Sequence, residues 1–274
     1  MNYHKLLRLS RKFTSRFFLF EELSRLSRYS LINSKLSSDL YWQSFRQPSQ
    51  AEDWIPLHRF IGHLGPLILV DIGANIGSFA VDCAANLGVK HAYCFEPVPS
   101  TFALLCKRLQ DAPFSATPLN MAVSMREGAI PFNIYDSPSL NSQYQYIGEL
   151  TDGQERPVPV DVLDVQAGPV TNSLIAEEGP IFLKIDVQGM EVDVVEACSG
   201  ILDRCVAVLI EVSLLPEYDG LSPSFSPVVC MLMKSELYPV FFHDFGDKTS
   251  LYAVERDVLF VRKDLLPRAF DSCL

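Results

Sequence analysis

The stretch VDIGANIGS at residues 70–78 joins a short apolar run to an amphipathic segment. The run at residues 66–70 has turn residues on each side, which predicts a buried strand. The apolar residues after the stretch recur at helical spacing, which predicts a helix that Gly88 ends. This helical face consists of Ile76, Phe79, Ala80, Cys83, Ala84 and Leu87. A glycine-containing turn between a strand and a helix lies where ligands bind in open α/β sheets.

The alternation of strands and helices continues along the chain. Further apolar runs predict strands at residues 91–95, 116–123, 181–185 and 206–212, helical patterns occupy 98–109 and 191–202, and closing strands are predicted at 239–243 and 258–261. Such alternation with short connections predicts an α/β fold, in which a parallel sheet carries helices on both faces.

Residues 128–165 interrupt this alternation. Apolar residues alternate with others at period two in two places, which predicts two half-buried strands. The first comprises Ile130, Phe132 and Ile134, and the second comprises Val158, Val160 and Val162. The text between them at residues 137–154 is rich in Ser, Asn, Gln and Gly, which predicts a surface loop. The sequence therefore predicts a strand-loop-strand insert.

Composition and charge restrict the class of protein. The chain has 274 residues, of which 48% are hydrophobic and 20% charged, as is typical of a globular protein. Its net charge of −10 argues against a general nucleic-acid binder. Residues 1–35 nevertheless carry eight Lys and Arg against two Glu, a charge of +6, so that the remainder carries −16. Residues 1–60 are predicted to be a basic helical extension, either packed on a domain of residues 61–274 or contacting a membrane surface peripherally.

The cysteines and histidines predict neither disulfides nor a metal site. The seven cysteines are odd in number and form no CxxC pair. The histidines have no metal-ligand spacing. Reduced thiols, and an N-terminus without the pattern of a secretory signal, lead us to expect a cytoplasmic protein.

The residues around the glycine turn suggest a cofactor. Glu96 ends the second predicted strand, 23 residues after Gly73, and an acidic residue at about this distance holds a ribose diol in nucleotide-binding folds. Asn75 stands where a dinucleotide fingerprint needs its second glycine, which argues against a bound pyrophosphate. The carboxylate of Asp71 suits an ammonium group instead. These features favour S-adenosylmethionine, which has an ammonium, a sulfonium and an adenosine but no phosphate.

A second polar group lies in FLKIDVQGME at residues 182–191. Lys184 and Asp186 alternate along a predicted strand and therefore point to the same face. Gly189 permits a tight turn, and Glu191 begins the next helix. A cation and two carboxylates packed together are costly unless they pair or have a function. The group is thus either a structural ion pair or part of an active site.

Six blocks of sequence occur in the order DIGANIGSFA, CFEPVPSTFALL, LNMAVS, VDVLD, FLKIDVQGMEVDVVEA and VLIEVS. Together they resemble the FkbM family of S-adenosylmethionine-dependent methyltransferases, over residues 66–263. The resemblance implies a class I methyltransferase fold, a Rossmann-like doubly wound sheet that is mostly parallel with an antiparallel closing strand. Family members commonly methylate hydroxyl groups, often those of sugars in glycolipids, polysaccharides or natural products.

The resemblance also implies roles for individual residues. The methionine end of the cofactor would lie against Asp71, Gly73, Asn75 and Gly77. Glu96, followed by Pro97, would hold the ribose hydroxyls, Asn120 and Ala122 would lie near the adenine, and Asp186 would lie beside the methyl group. Relatives often carry Glu at position 188 and a polar residue at 190, so Gln188 and Met190 are weak candidates for acid–base chemistry.

Methyl transfer to a hydroxyl group requires a side chain that removes the hydroxyl proton. Asp186 is the first candidate and Glu191 the second, while Lys184 would orient these carboxylates or polarise the acceptor oxygen. His243, at the end of a predicted strand, is a third candidate, although a histidine beside aromatic residues is more often structural. Divalent-metal assistance from Asp186, Glu191 and Glu211 is not required.

Two other functions fit parts of the pattern. A nicotinamide-dependent oxidoreductase could share the sheet, but the missing GxGxxG motif argues against it. A non-catalytic module that keeps the cofactor pocket is the other, and the intact Asp71, Glu96 and Asp186 argue against it. The polar residues 137–144 either contact a small-molecule or glycan acceptor or form an ordinary solvated loop.

Overall fold

The computed structural model describes residues 55–136, 140–147, 157–243 and 255–266. Within these ranges, Pro56–Leu265 forms one compact unit. The predicted extension of residues 1–60 lies outside the described residues except for its last segment, where helix α1 spans Ile55–Ile61. Parts of the predicted loop at residues 137–154 also lie outside them.

The described residues form ten strands and five α-helices. The strands are β1 (Leu67–Ile72), β2 (Val89–Phe95), β3 (Ser115–Leu119), β4 (Ala122–Val123), β5 (Gly128–Ile134), β6 (Asp161–Gly168), β7 (Ile181–Ile185), β8 (Cys205–Ser213), β9 (Leu237–His243) and β10 (Glu255–Arg262). The helices after α1 are α2 (Ser78–Leu87), α3 (Pro99–Gln110), α4 (Glu191–Ala197) and α5 (Phe225–Lys234), and short 3₁₀ helices span Leu202–Arg204 and Lys263–Leu265.

The main sheet has the strand order β3-β2-β1-β7-β8-β10-β9. Neighbouring strands pair in parallel except at β10, which is antiparallel to both β8 and β9. This mostly parallel sheet with an antiparallel closing strand confirms the predicted α/β fold class. The chain runs outward from β1 through β2 to β3 and then returns to β7, so the strand order reverses between β1 and β7.

The two strands at this reversal form the centre of the core. Every residue of β1 and of β7 is buried, and their nearly uninterrupted apolar sequence is typical of strands buried on both faces. The exceptions are Asp71 on β1 and Lys184 on β7, which are direct partners in the strand register. A buried cation and a buried carboxylate thus lie side by side in the middle of the sheet.

The strand predicted at residues 116–123 is in fact two strands in two sheets. β3 is an edge strand of the main sheet, and β4 belongs to a second, three-stranded sheet. The break falls at Asn120, whose side-chain amide donates hydrogen bonds to the carbonyl oxygens of Glu96 (2.9 Å) and Pro97 (3.0 Å). Apolar periodicity carries no signal of this tertiary contact, and the prediction of one strand was wrong.

The second sheet has the order β4-β6-β5, with β5 and β6 antiparallel. The prediction of a strand at residues 158–162 was wrong in its bounds, because β6 begins at Asp161. It was also wrong about which face of the strand is buried. The three valines behind that prediction are 65%, 58% and 56% exposed, whereas Val165 and Ala167 are buried. Apolar residues occur at period two on both faces of this segment, so packing rather than pattern decides which face is buried.

The backbones that follow β1 and β7 approach each other closely. The amide of Asp186 donates a hydrogen bond to the carbonyl oxygen of Ile72 (3.1 Å), and Gly73 adopts a φ of 77°. A Cβ atom at Gly73 would lie 1.9 Å from the backbone oxygen of Asp186. Only glycine permits this approach, which sets the distance between the ends of the two central strands.

Gly73→Ala is expected to destabilise the fold more than Gly88→Ala does. Both glycines have a positive φ, 77° and 70°, where an L residue costs about 1–2 kcal/mol. A Cβ atom at Gly88 would meet nothing within 4 Å, so only Gly73→Ala adds overpacking, which costs about 1–3 kcal/mol. Urea denaturation should show this difference in unfolding free energy. Equal losses for the two variants would contradict the close approach.

Candidate active site

A cavity opens at the carboxyl ends of β1, β2 and β7, where the strand order reverses and where open α/β sheets bind ligands. It is lined by Ile72, Gly73 and Asn75 from the β1 end, by Phe95, Glu96, Pro97, Val98 and Thr101 from the β2 end, by Met121, Ala122, Val123, Phe132 and Asn141, and by Asp186, Val187, Gln188, Met190 and Val194 after β7. Of the residues predicted to contact a cofactor, Asp71, Gly77 and Asn120 do not line it.

The loop after β1 forms one wall of the cavity. Gly73, Asn75 and Gly77 all have positive φ values, of 77°, 49° and 82°. The amides of Gly73 and Ala74 both donate hydrogen bonds to the carbonyl oxygen of Phe95, at 3.1 and 2.9 Å. The loop is therefore folded back onto the end of β2, and Gly73 and Asn75 line the cavity.

Glu96 is held at the end of β2 by the backbone around it. Its Oε2 accepts a hydrogen bond from the amide of Asn75 (3.1 Å), and its Oε1 accepts one from the amide of Val98 (2.9 Å). The side chain is buried, and this burial raises the pKa of Glu96 to about 6, although both hydrogen bonds act in the opposite direction. Each carboxylate oxygen keeps a second lone pair that can accept a hydrogen bond from a ligand.

The three predicted residues that do not line the cavity lie behind the segments that form its walls. Asn120 donates to the backbone of Glu96 and Pro97 and so holds the β2 end against the turn before β4. A Cβ atom at Gly77 would lie 2.7 Å from Leu105, so this glycine lets the loop pack against α3. Asp71 is fully buried within β1. Its predicted contact with the methionine end of the cofactor stays a prediction.

Lys184 links the ends of β1 and β7. Its Nζ lies 3.1 Å from Oδ2 of Asp186 and 3.5 Å from Oδ1 of Asp71, and it donates a hydrogen bond to the carbonyl oxygen of Gly73 (3.2 Å). Burial opposes its charge, but the two carboxylates outweigh this effect and raise the pKa of Lys184 above its ordinary value. Lys184 therefore lies between the two carboxylates, where its charge can orient them.

Asp186 presents a carboxylate to the cavity. Its side chain is 42% exposed, in contrast to Asp71. Burial favours its neutral form, but the Lys184 ammonium and hydrogen bonds with Gln188 and Glu211 outweigh burial and hold the pKa of Asp186 below its ordinary value. Asp186 is thus an accessible anion at neutral pH.

Gln188 and Glu211 extend this arrangement to β8. The Nε2 group of Gln188 donates to Oδ1 of Asp186 (3.3 Å) and to Oε2 of Glu211 (3.0 Å), and its Oε1 accepts from the hydroxyl of Tyr218 (2.7 Å). Burial, followed by repulsion from Asp186, raises the pKa of Glu211 to about 9. Gln188 was only a weak candidate from the sequence, and Tyr218 was not predicted. The available signal for Glu211 was an acidic residue within the apolar block VLIEVS.

The other two candidates for the base lie farther from the cavity wall. Glu191 is buried, and its Oε1 accepts a hydrogen bond from the amide of Gly189 (2.7 Å) while its Oε2 has no hydrogen-bond partner among the described residues. This burial raises the pKa of Glu191. His243 ends β9 and pairs with Asp257 in the strand register. The side chain of His243 lies outside the part of the chain that the structure describes.

Other kinds of site are not found in the described ranges. No group of three or more His, Cys, Asp or Glu side chains there could hold a metal ion, and no helix there has the length and apolar character of a membrane span. Cys83, Cys94, Cys198 and Cys205 are buried and are not in disulfides. Burial raises the pKa of each of these four thiols.

Comparison with known proteins gives the family. Residues 71–245 match the methyltransferase FkbM domain, a stretch that includes the loop after β1, Glu96, Asp186 and Gln188. The chain belongs to the FkbM methyltransferase family. This membership confirms the resemblance found in the sequence and assigns S-adenosyl-L-methionine as the cofactor.

One sequence relative is the hexuronic acid methyltransferase AglP of Haloferax volcanii, which is 28% identical over 145 residues. The match covers 53% of this chain and 55% of AglP, so the chain spans about half the length of this relative.

Two solved structures share a distant overall similarity with this FkbM-family chain. The N-methyltransferase NodS of Bradyrhizobium japonicum, solved with S-adenosyl-L-homocysteine, has a TM-score of 0.41 at 11% identity and matches 85% of this chain and 97% of its own. The precorrin-6y C5,15-methyltransferase of Geobacter metallireducens has a TM-score of 0.39 at 11% identity and matches 79% of this chain and 90% of its own.

The residues of the cavity fit S-adenosyl-L-methionine. Glu96 offers free lone pairs for a ribose diol, and Phe95, Val98 and Met121 provide apolar surface for an adenine ring. The backbone of Gly73 and Asn75 lines the cavity, and Asp186 supplies an anion suited to a cationic centre. The described cavity therefore combines groups for each chemical part of this cofactor.

Glu96→Ala is expected to weaken binding of S-adenosyl-L-methionine about 10- to 100-fold, because hydrogen bonds to a charged group contribute about 1.5–3 kcal/mol. Calorimetric titration measures the affinity, and Glu178→Ala, which removes an exposed carboxylate, is the control. Unchanged affinity in Glu96→Ala would contradict the ribose assignment.

Glu211→Gln is expected to flatten the pH dependence of stability. Because folding raises the pKa of Glu211 from 4.5 to about 9, its contribution to stability is complete below the ordinary pKa and is lost as the pH rises through the folded value. Loss of this one titrating carboxyl group changes the slope of unfolding free energy against pH by about 1.4 kcal/mol per pH unit. Urea denaturation between pH 5 and 9 measures it. A wild-type slope in Glu211→Gln would refute the raised pKa.

Proposed function

We propose that this protein transfers a methyl group from S-adenosyl-L-methionine to a hydroxyl oxygen of a sugar in a glycan, glycolipid or natural product. The observation that carries the proposal is the accessible, ionised carboxylate of Asp186 on the cavity wall, across β1 from Glu96. A hydroxyl acceptor must lose a proton, and a carboxylate at this position can take it.

The charge around Asp186 favours a hydroxyl acceptor over a carboxylate acceptor. Three further carboxyl groups interact electrostatically with Asp186 or with Glu211, and these belong to Glu191, Glu255 and Asp257. The nearby ammonium of Lys184 is already engaged by Asp71 and Asp186. An anionic acceptor oxygen would be repelled here, whereas a neutral hydroxyl group would donate a hydrogen bond. The similarity to a hexuronic acid methyltransferase supports a sugar as the acceptor, and a hexuronic acid also carries hydroxyl groups.

The proposed mechanism assigns each side chain one task. The cofactor supplies an electrophilic methyl group. Glu96 accepts hydrogen bonds from the ribose, and the backbone from Gly73 to Asn75 supports the methionine part. Asp186 accepts a hydrogen bond from the acceptor hydroxyl, which aligns its oxygen, and then takes the proton. Alignment of this kind can contribute about 7–11 kcal/mol.

The timing of proton transfer follows from the lowered pKa of Asp186. Such a carboxylate is too weak a base to ionise a free hydroxyl group. The hydroxyl becomes acidic only as its oxygen gains a bond to carbon, so proton transfer to Asp186 must accompany methyl transfer. Glu191 and His243 remain the next candidates for the base.

We also propose a cytoplasmic location, which the free thiols of the described cysteines support. The predicted peripheral membrane contact through residues 1–35 concerns residues outside the described ranges, and it stays a prediction.

Asp186→Asn is expected to lower turnover about 10²–10⁴-fold, the usual contribution of a general base, and to weaken cofactor affinity less than Glu96→Ala does. The assay follows transfer of an isotope-labelled methyl group to neutral, acidic and amino methyl glycosides. The control is Asp203→Asn, which changes an exposed aspartate.

The chemical stability of the product separates the alternatives. Labelled methyl ethers survive mild alkali, whereas methyl esters are cleaved, so alkali-labile product would contradict hydroxyl methylation. Near-normal turnover in Asp186→Asn would move the role of base to Glu191 or His243. Cofactor binding without transfer to any glycoside would favour another acceptor or a binding module.

A further inference from the structure

Asp186 and Glu211 form a carboxyl pair at the ends of β7 and β8. The strand register pairs Ile185 with Ile210, so the two acidic residues occupy the next matched position. The Nε2 group of Gln188 donates a hydrogen bond to each carboxyl group, at 3.3 Å to Asp186 and 3.0 Å to Glu211. Two ionised carboxylates that share one amide donor lie close enough to repel each other, so the pair holds one proton between them.

The surroundings decide which member of the pair holds this proton. Asp186 faces the Lys184 ammonium at 3.1 Å. Glu211 faces Asp186 from β7, Glu191 from α4, and Glu255 and Asp257 from β10. The anion is therefore stabilised on Asp186, and the proton rests on Glu211, whose pKa burial and these charges raise to about 9.

The anionic member of the pair is the one that lines the cavity. Asp186 is on the cavity wall, and Glu211, which does not line the cavity, is joined to it by the hydrogen bond from Gln188. The negative charges around Glu211 keep the proton on it. A cation placed against Asp186 would offset part of this negative charge. Such a cation lowers the proton affinity of both carboxyl groups.

We propose that Asp186 and Glu211 act as a proton store, which releases its shared proton on binding the cationic methyl donor and takes up the acceptor's proton during methyl transfer. The inference rests on the function proposed above. In the transfer the S–CH₃ bond breaks, its electron pair stays on sulfur, and an O–CH₃ bond forms. The O–H bond breaks, and its proton passes to the pair. Loss of the sulfonium charge at the same moment restores the pair's high proton affinity. Glu211 is thus a positioning residue that acts through Asp186.

Calorimetry of the full chain tests the proton store without any acceptor. S-adenosyl-L-methionine and S-adenosyl-L-homocysteine share every ionisable group and differ by the methyl group and its sulfonium charge. Titrations at pH 8 in buffers of low and high ionisation enthalpy count the protons released. Binding of S-adenosyl-L-methionine is expected to release more protons than binding of S-adenosyl-L-homocysteine does. The difference should be a large fraction of one proton per protein molecule. Glu211→Gln is expected to abolish the difference while it retains binding, and the exposed Glu196→Gln is expected to keep it.

Equal proton release by the two ligands, or a difference that persists in Glu211→Gln, would overturn the proton store and leave the methyltransferase function standing. A protein that binds neither ligand would overturn both. If Glu211→Gln does not fold, carboxyl-¹³C NMR of glutamate-labelled wild type provides the same test. A glutamate resonance should shift to the ionised position with S-adenosyl-L-methionine and not with S-adenosyl-L-homocysteine, and identical spectra would refute the proposal.

Discussion

The contact of one ammonium group with three oxygens holds this site together. Lys184 lies between Asp71 on β1 and Asp186 after β7, and it donates to the carbonyl oxygen of Gly73. Removal of one partner from a buried ion pair costs about 3–5 kcal/mol, because the other charge is left without compensation. The orientation of Asp186, the ionised state of that carboxylate and the position of the glycine loop all depend on this cation. The reversal of strand order between β1 and β7 provides the space for a ligand. Lys184 keeps the Asp186 carboxylate, which faces this space, in its ionised form.

The sequence predicted those parts of the fold in which local pattern and tertiary packing agree. Residues 181–185 were predicted as a strand and form β7 with the same limits, since an apolar run bounded by turn residues has no competing solution. Gly88 ends α2 in a left-handed conformation, as its position after the helical face indicated. The two wrongly predicted strands, at residues 116–123 and 158–162, occur where contacts between distant residues determine the structure. The side-chain amide of Asn120 divides one apolar segment between two sheets, and packing buries the face of β6 opposite to the one that the valines suggested.

The same distinction applies to the site. Gly73, Asn75, Glu96 and Asp186 were predicted to serve one ligand, and they line one cavity, because carboxyl ends of neighbouring parallel strands meet at one edge of a sheet. Their individual roles stay predictions. Asp71 does not line this cavity, because its side chain is fully buried within β1. The pairing of Glu211 with Asp186 depends on the register between β7 and β8, which is a property of the sheet and not of either segment.

The burial of four thiols has a practical consequence for observing this protein. Thiolates are the reactive form of cysteine, so buried thiols with raised pKa values resist alkylation while the fold is intact. Cys94 lies on β2, Cys205 on β8, Cys83 on α2, and Cys198 directly after α4. Modification of each therefore requires opening of the segment that contains it. Alkylation followed by mass spectrometry would record, with native residues alone, the order in which the halves of the sheet on either side of the cavity come apart.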